Sequence, residues 1–207
     1  GLPSTSHILI YYGLTGQGKT SLMTSLTTSK KKGSKVYRGC FDKIYICASY
    51  TSMRSISGDP FAKLDKSNYF IESCSNFNNY YGSPIKNIKK ANLLNKNILF
   101  DIDWKGARKI RKKFKKTDII DIFILPPSVK ELRKRLIKRG RDTNKEITLR
   151  LSYALDEIKH YDEYNYVLIN QNIHNTAQDI IDIIKYHELL KKNEKLLNKK
   201  LKKLINL

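Results

Sequence analysis

The chain predicts an α/β fold, a parallel core sheet flanked by helices, and three features of its 207 residues lead there. Short apolar runs rich in β-forming residues recur: HILIYY, KIYICAS, NILFDID, IIDIFILPP and NYVLIN. Stretches of helical periodicity, such as WKGARKIRKKF and SVKELRKRLIKR, lie between them. Strands alternating with helices indicate a parallel sheet covered on both faces. The third feature is a glycine-rich stretch, GLTGQGKT at Gly13 to Thr20, set between the first strand and the first helix.

The elements follow in order. HILIYY reads as a buried strand and GKTSLMTSLTTS as the helix after it. KKKGSK is a solvated loop, KIYICAS a second strand, and YTSMRSISGDP is loop-like. DPFAKLDK reads as a short helix with Asp59 as its cap and Pro60 in its first turn. NYFIES and NNYYGS are short β-like pieces, and Pro84 opens a helix running to about Leu94. NILFDID is a buried strand, WKGARKIRKKF a basic helix, and IIDIFILPP a strand stopped by two prolines. SVKELRKRLIKR is a helix whose Ser128 and Glu131 have the spacing of a capping box. GRDTNKE is a polar loop, ITLRLSYALDEIKHYDEY a long helix, and NYVLIN a last strand. A Lys-rich amphipathic helix closes the sequence, expected to pack on the domain with a solvated face. The irregular middle, about residues 36–93, reads as an inserted subdomain, with the core in about 1–35 and 94–207.

Hydrophobic residues make up 40% of the chain, with 7 Phe and 13 Tyr, which excludes a disordered polyelectrolyte. No apolar run approaches the ~20 residues of a bilayer-spanning helix, and no basic-then-apolar leader is seen. Cys40, Cys47 and Cys74 lack metal-ligand spacing and read as reduced thiols, so a cytoplasmic protein without membrane association is expected. The histidines, His7, His160, His174 and His187, are scattered and read as structural or solvent-facing. The net charge of +21 calls for an anionic partner or reflects a Lys-, Asn- and Ile-rich coding bias. No nucleic-acid-binding motif accompanies it, so no specific nucleic-acid partner is expected.

Gly13, Gly18, Lys19 and Thr20 satisfy G-x-x-x-x-G-K-[ST] in the strand–loop–helix context of a phosphate-binding P-loop. Gly13, Gly16 and Gly18 allow backbone conformations that side chains would block. The main-chain N–H groups of Gly13, Leu14, Thr15, Gly16, Gln17 and Gly18 can then face phosphate oxygens, aided by the helix N-terminus. Lys19 would reach the β- and γ-phosphates of ATP, and Thr20 would hold Mg²⁺. The fold expectation is therefore a P-loop NTPase.

Further motifs, NNYYGS, LFDIDWKGARKIRKKF, IFILPPSVKELRKRLIKRGRD and RLSYALDEIKHYDEYNYVLIN, occur in the order seen in guanylate kinases of the bacterial type. The chain resembles that family from about Asp59 to about Leu190, and the P-loop fits it too. The resemblance implies a nucleoside monophosphate kinase that converts GMP to GDP with ATP and Mg²⁺. It also implies an inserted monophosphate-binding subdomain and a mobile lid, here about residues 139–150, in a monomer or homodimer. Arg139 matches the arginine that contacts the triphosphate when the lid closes, and Arg150 a second arginine reaching the transferring phosphate. A guanidinium fork suits phosphate oxygens better than a point charge. Tyr81 matches a tyrosine that contacts the monophosphate, Ser83 a hydroxyl that helps bind guanine, and Asp101 an acid near the acceptor and metal. Asp103 stands two residues on and could assist it. Asn170 matches a residue near the donor adenine, and Trp104 reads as packing.

Two departures stand against this match. The family's S-x-T-T-R-x-x-R-x-G-E segment corresponds to ASYTSMRSISGD, where Ser49 and Thr51 fit. The arginine positions fall on Met53 and Ile56, with Arg54 one residue out of register. An ungapped match also places the family's guanine-reading glutamate at Ser75, with Glu72 in a structural glutamate's place. Ser49, Arg54 and Ser75 are thus expected in a weakened or relaxed GMP site. The alternative expectation is a non-catalytic guanylate-kinase-like binding module.

Overall fold

The computed structural model describes residues 8–13, 44–47, 67–76, 79–94, 97–140 and 142–205. The helix expected after Lys19, the loop at 48–58 and the Asp59-capped helix lie outside them.

Five short apolar runs form one sheet: β1 (Ile8–Gly13), β2 (Ile44–Cys47), β5 (Asn97–Asp101), β6 (Ile119–Leu125) and β7 (Tyr166–Ile169). Their order is β2-β5-β1-β6-β7, and every pairing is parallel. β2, within the stretch assigned to the inserted subdomain, is an edge strand of this core sheet.

NYFIES and NNYYGS become β3 (Phe70–Asn76) and β4 (Asn79–Pro84), a separate antiparallel hairpin. Gly82 lets the two strands close, because a Cβ there would stand 2.7 Å from the Phe70 ring. α1 (Ile85–Leu93) follows directly from β4, as Pro84 foretold. α2 (Trp104–Lys113), α3 (Val129–Arg139), α4 (Asn144–Ile158) and α5 (Ile173–Ile205) complete the described helices.

Strand alternation sends side chains to two faces, and the apolar residues divide accordingly. Ile98, Phe100, Ile119 and Phe123 pack with Ile88 and Ala91 of α1 and Ala107 and Ile110 of α2. Leu99, Ile120, Ile122 and Ile124 pack on the other face with Ala177, Ile180, Ile181 and Ile184 of α5. β6 also buries Asp121, which accepts from Arg111 Nε at 2.7 Å and from the Asn165 backbone N–H at 3.0 Å. A buried carboxylate so satisfied ties α2 and the approach to β7 to the sheet.

The helix ends differ from expectation in three places. Ser128 caps α3 by accepting from the Glu131 N–H at 3.1 Å, but the Glu131 carboxylate accepts from Arg135 instead of closing the box. The full capping box forms at Thr143 and Glu146, so α4 begins three residues before the expected Ile147. α4 stops at Ile158, and a 3₁₀ turn at Tyr161–Glu163 turns the chain so that Tyr164 buries against Phe123, ring centroids 5.1 Å apart. The His160 ring stacks on Trp104 at 3.8 Å between centroids, a packing role for both.

α5 buries apolar residues against the sheet through Ile184, and His187 and Lys191 still bond to Tyr166 of β7 and to Asp118; Leu189, Leu190, Leu196, Leu197, Leu201 and Leu204 are exposed. The expected packing of this helix on the domain holds as far as Lys191, whereas the rest of the Lys-rich end, residues 192–205, is exposed. The sheet is too short to cover a helix of 33 residues. No helix of the described residues is long and apolar enough to cross a membrane.

Candidate functional site

Ligands in open parallel sheets bind beyond the carboxyl ends of the strands. At that edge β1 ends in Gly13, where the glycine-rich loop begins, with β5 and β6 on either side. Asp101 ends β5 and pairs in register with Tyr11 of β1. Leu14, Thr15, Gly16, Gln17, Gly18, Lys19 and Thr20, with Ser49 and Arg54, lie outside the described residues.

The hairpin supplies the best-defined polar pair. Its register, Asn76 across from Asn79, places Glu72 directly opposite Ser83. Ser83 Oγ donates to Glu72 Oε1 at 2.5 Å, and the two residues are 0% and 2% exposed. Glu72 Oε2 is buried with no hydrogen-bond partner among the described residues. Burial pushes the carboxyl pKa up to about 7. The Ser83 hydrogen bond opposes that rise, Asp103 adds to it, and Lys109 and Lys113 oppose it. A carboxylate presenting a desolvated, unpaired acceptor suits a ligand with adjacent N–H donors.

α2 forms the wall behind this pair. Asp103 caps the helix, accepting from the Gly106 N–H at 2.7 Å. A Cβ on Gly106 would lie 2.8 Å from Glu72 Oε2 and 3.2 Å from Ile102 Cβ, so only glycine lets helix and carboxylate approach this closely. Gly106→Ala should therefore cost about 1–3 kcal/mol of stability and displace Glu72. Urea unfolding checks the first effect, and binding of the site's ligand the second. Further along α2, Lys109 Nζ donates to the Ser73 carbonyl at 2.5 Å and Lys113 Nζ to the Ile71 carbonyl at 2.6 Å.

Of the other expected acceptor-side residues, Ser75 sits across from Tyr80 and Tyr81 across from Cys74. By the two-residue period of a strand, the Tyr81 position belongs with Glu72 and Ser83, and the Ser75 position to the alternate set. The side chains of Ser75 and Tyr81 lie outside the described residues.

The expected lid, about residues 139–150, falls at the junction of α3 and α4. These helices have a small core of their own, Leu132, Leu136, Ile147 and Ala154, apart from the two sheet faces. Arg139 ends α3 and is exposed, followed by Gly140 in a left-handed C-cap at φ 65°. Arg150 Nε donates to Asp142 Oδ1 at 3.1 Å, while Asp142 Oδ2 is buried without a hydrogen-bond partner among the described residues. Arg135 Nη2 donates to the Asn170 carbonyl at 2.9 Å, holding α3 against the end of β7. Asn170 itself is buried and accepts from Thr176 Oγ1 at 3.2 Å, which anchors the start of α5.

The structure thus brings Ser83, Asp103 and the hairpin together around a carboxylate that the sequence had placed in a structural role. A hairpin register counted outward from Asn76 and Asn79 is the signal that pairs Glu72 with Ser83. Gly106, Lys109, Lys113 and Asp142 carried no such signal, because their roles depend on which helix face meets the hairpin or the lid.

Comparison with known proteins gives concordant matches. The family model described as guanylate kinase matches residues 6–187. The guanylate kinase of Histophilus somni (strain 129Pt) is 36% identical over 187 residues, covering 84% of this chain and 85% of that protein. The guanylate kinase of Haemophilus influenzae (strain 86-028NP) is 33% identical over 201 residues, 91% of each. Among solved structures, the crystal structure of guanylate kinase from Anaplasma phagocytophilum matches with a TM-score of 0.63 and 26% identity. That match covers 90% of this chain and 88% of the other.

Proposed function

Because this chain belongs to the guanylate kinase family, we infer that it transfers the γ-phosphoryl group of ATP to GMP. A phosphate oxygen of GMP attacks the γ-phosphorus, the bond to the β–γ bridging oxygen breaks, and GDP and ADP leave. The reaction asks for charge neutralisation, in-line placement and exclusion of water, with little covalent help from the protein.

The observation that carries the acceptor half is the buried Glu72–Ser83 pair. Guanine presents N1–H and N2–H on one edge, and an ionised carboxylate accepts both, while adenine offers no such pair of donors. Glu72 thereby supplies the carboxylate that Ser75 lacks, and Ser83 Oγ fixes its orientation. Tyr81, Ser49 and Arg54 serve the GMP phosphate, with Met53 and Ile56 at positions where the family carries arginines. Asp101 and Asp103 lie toward the same nucleotide. The hairpin belongs to the monophosphate-binding subdomain expected within about residues 36–93, of which β2 is part of the core sheet instead.

On the donor side, the main-chain N–H groups from Gly13 to Gly18 cradle the phosphates and Lys19 neutralises them. Asn170 lies near the adenine. Arg139 and Arg150 act from the lid, about residues 139–150, at the junction of α3 and α4, which share a small core of their own. Arg150 is held by Asp142 and would exchange that partner for phosphate on closure. Mg²⁺ prefers a few hard protein oxygens together with substrate phosphates. The sheet edge fits such an ion, since the Asp101 carboxylate ends the strand paired with β1, and Thr20 follows β1 by seven residues in the sequence. Thr20 would hold the metal, which would supply neutralisation of phosphate charge.

A coupled ADP-release assay across GMP, dGMP, AMP, UMP and CMP tests this reading. Turnover is expected with GMP and dGMP, and at least about tenfold lower kcat/KM with AMP, UMP and CMP. ADP release at background level with every acceptor would overturn it.

A further inference from the structure

Glu72 lies between two residues of β3 whose carbonyls are each gripped by a lysine of α2. Lys113 Nζ holds the Ile71 carbonyl at 2.6 Å, and Lys109 Nζ holds the Ser73 carbonyl at 2.5 Å. The spacing is matched on both sides. Residues four apart on a helix rise about 6 Å, and residues two apart on a strand about 6.6 Å, with their carbonyls pointing the same way. Lys109 and Lys113 therefore stand over Ile71 and Ser73 as two rungs, with Glu72 between them. Gly106 lies one turn before Lys109 on the same stripe of the helix, and a Cβ there would stand 2.8 Å from Glu72 Oε2.

We propose that Lys109 and Lys113 are positioning residues for acceptor recognition: by gripping the carbonyls on either side of Glu72, they hold the strand from which that carboxylate reads the base. The inference rests on the role given to Glu72 above. A hairpin of two strands has little stability of its own, so the placement of Glu72 depends on what clamps it to the core. Neither ammonium group needs to touch GMP. Their second effect is electrostatic. Burial and Asp103 favour the protonated form of Glu72, while Lys109, Lys113 and the Ser83 hydroxyl favour the ionised form that accepts two N–H groups.

The test is steady-state kinetics and a pH profile of Lys109→Met/Lys113→Met in the full chain. The KM for GMP should rise about five- to tenfold, with kcat at saturating GMP and the KM for ATP within about twofold. The fall in GMP affinity on acidification should begin at a higher pH than in the wild type, because two stabilising cations are gone. Lys109→Arg/Lys113→Arg should restore most of the affinity. The single variants, each expected to raise the KM about threefold, serve if the double variant does not fold. A lowered melting temperature with an unchanged KM for GMP and an unchanged pH profile would reduce the lysines to structural struts and overturn the proposal. Glu72→Gln is run in parallel. If that variant also leaves the KM for GMP unchanged, guanine is read elsewhere and the premise fails; if it raises the KM while the lysine variants do not, only the lysine role fails.

Discussion

Lys19→Ala is expected to reduce phosphoryl transfer to GMP by roughly a thousandfold or more. Lys19 follows the last glycine of GLTGQGKT, a stretch that begins where β1, the middle strand of the sheet, ends at Gly13. In the proposed mechanism its ammonium group would reach the β- and γ-phosphate oxygens, where charge builds as the phosphoryl group moves. Ala would leave the proposed main-chain contacts to phosphate and remove the lysine cation, so the loss should fall mainly on kcat. Single-turnover measurement of ADP formation with saturating ATP and GMP gives the chemical step directly. A rate within about tenfold of the wild type would exclude the phosphate-loop mechanism.

Glu72→Gln should weaken acceptor binding and stabilise the fold at alkaline pH. The amide keeps one acceptor oxygen and turns an N–H₂ group toward guanine's donors, so the KM for GMP should rise about ten- to a hundredfold. Stability moves the other way. The folded chain holds the Glu72 proton more tightly than the unfolded chain does, with the pKa pushed from 4.5 to about 7 by burial. Its contribution is therefore complete below about pH 4.5 and is lost as pH rises through about 7. A shift of two to three pH units corresponds to on the order of 3 kcal/mol. Gln carries no such dependence, so the variant should gain up to about that much on the wild type between pH 4.5 and pH 8. Urea unfolding at the two pH values reads the gap. A gap that does not change with pH would mean that the wild-type carboxyl titrates normally, and an unchanged KM for GMP would remove Glu72 from the acceptor site. Acidification of the wild type below about pH 7 should likewise raise the KM for GMP, as the acceptor pair is lost to protonation.

The parallel sheet was legible because its strands, buried on both faces, are near-continuous apolar runs such as IIDIFIL, and the helices between them show their own period. The P-loop motif and the family resemblance were legible because glycine and lysine spacing expresses chemistry that depends on local backbone. Helix boundaries were less so. Ser128 and Glu131 had box spacing, yet Arg135 captured the glutamate, while Thr143 and Glu146 formed the box inside what read as a loop. A side chain with two possible partners chooses by energy differences below about 1 kcal/mol.

By itself, the sequence determined the alternation of strands and helices, the P-loop motif that follows β1, and the family to which the chain belongs. Those depend on residue spacing along the chain, which is present before folding. Only the tertiary structure decided that Glu72 faces Ser83, that α2 approaches close enough to demand Gly106, and that the carboxyl is dry enough to hold a proton near neutrality. The reason is that desolvation belongs to an assembled neighbourhood: the same glutamate in an extended chain is hydrated and ordinary.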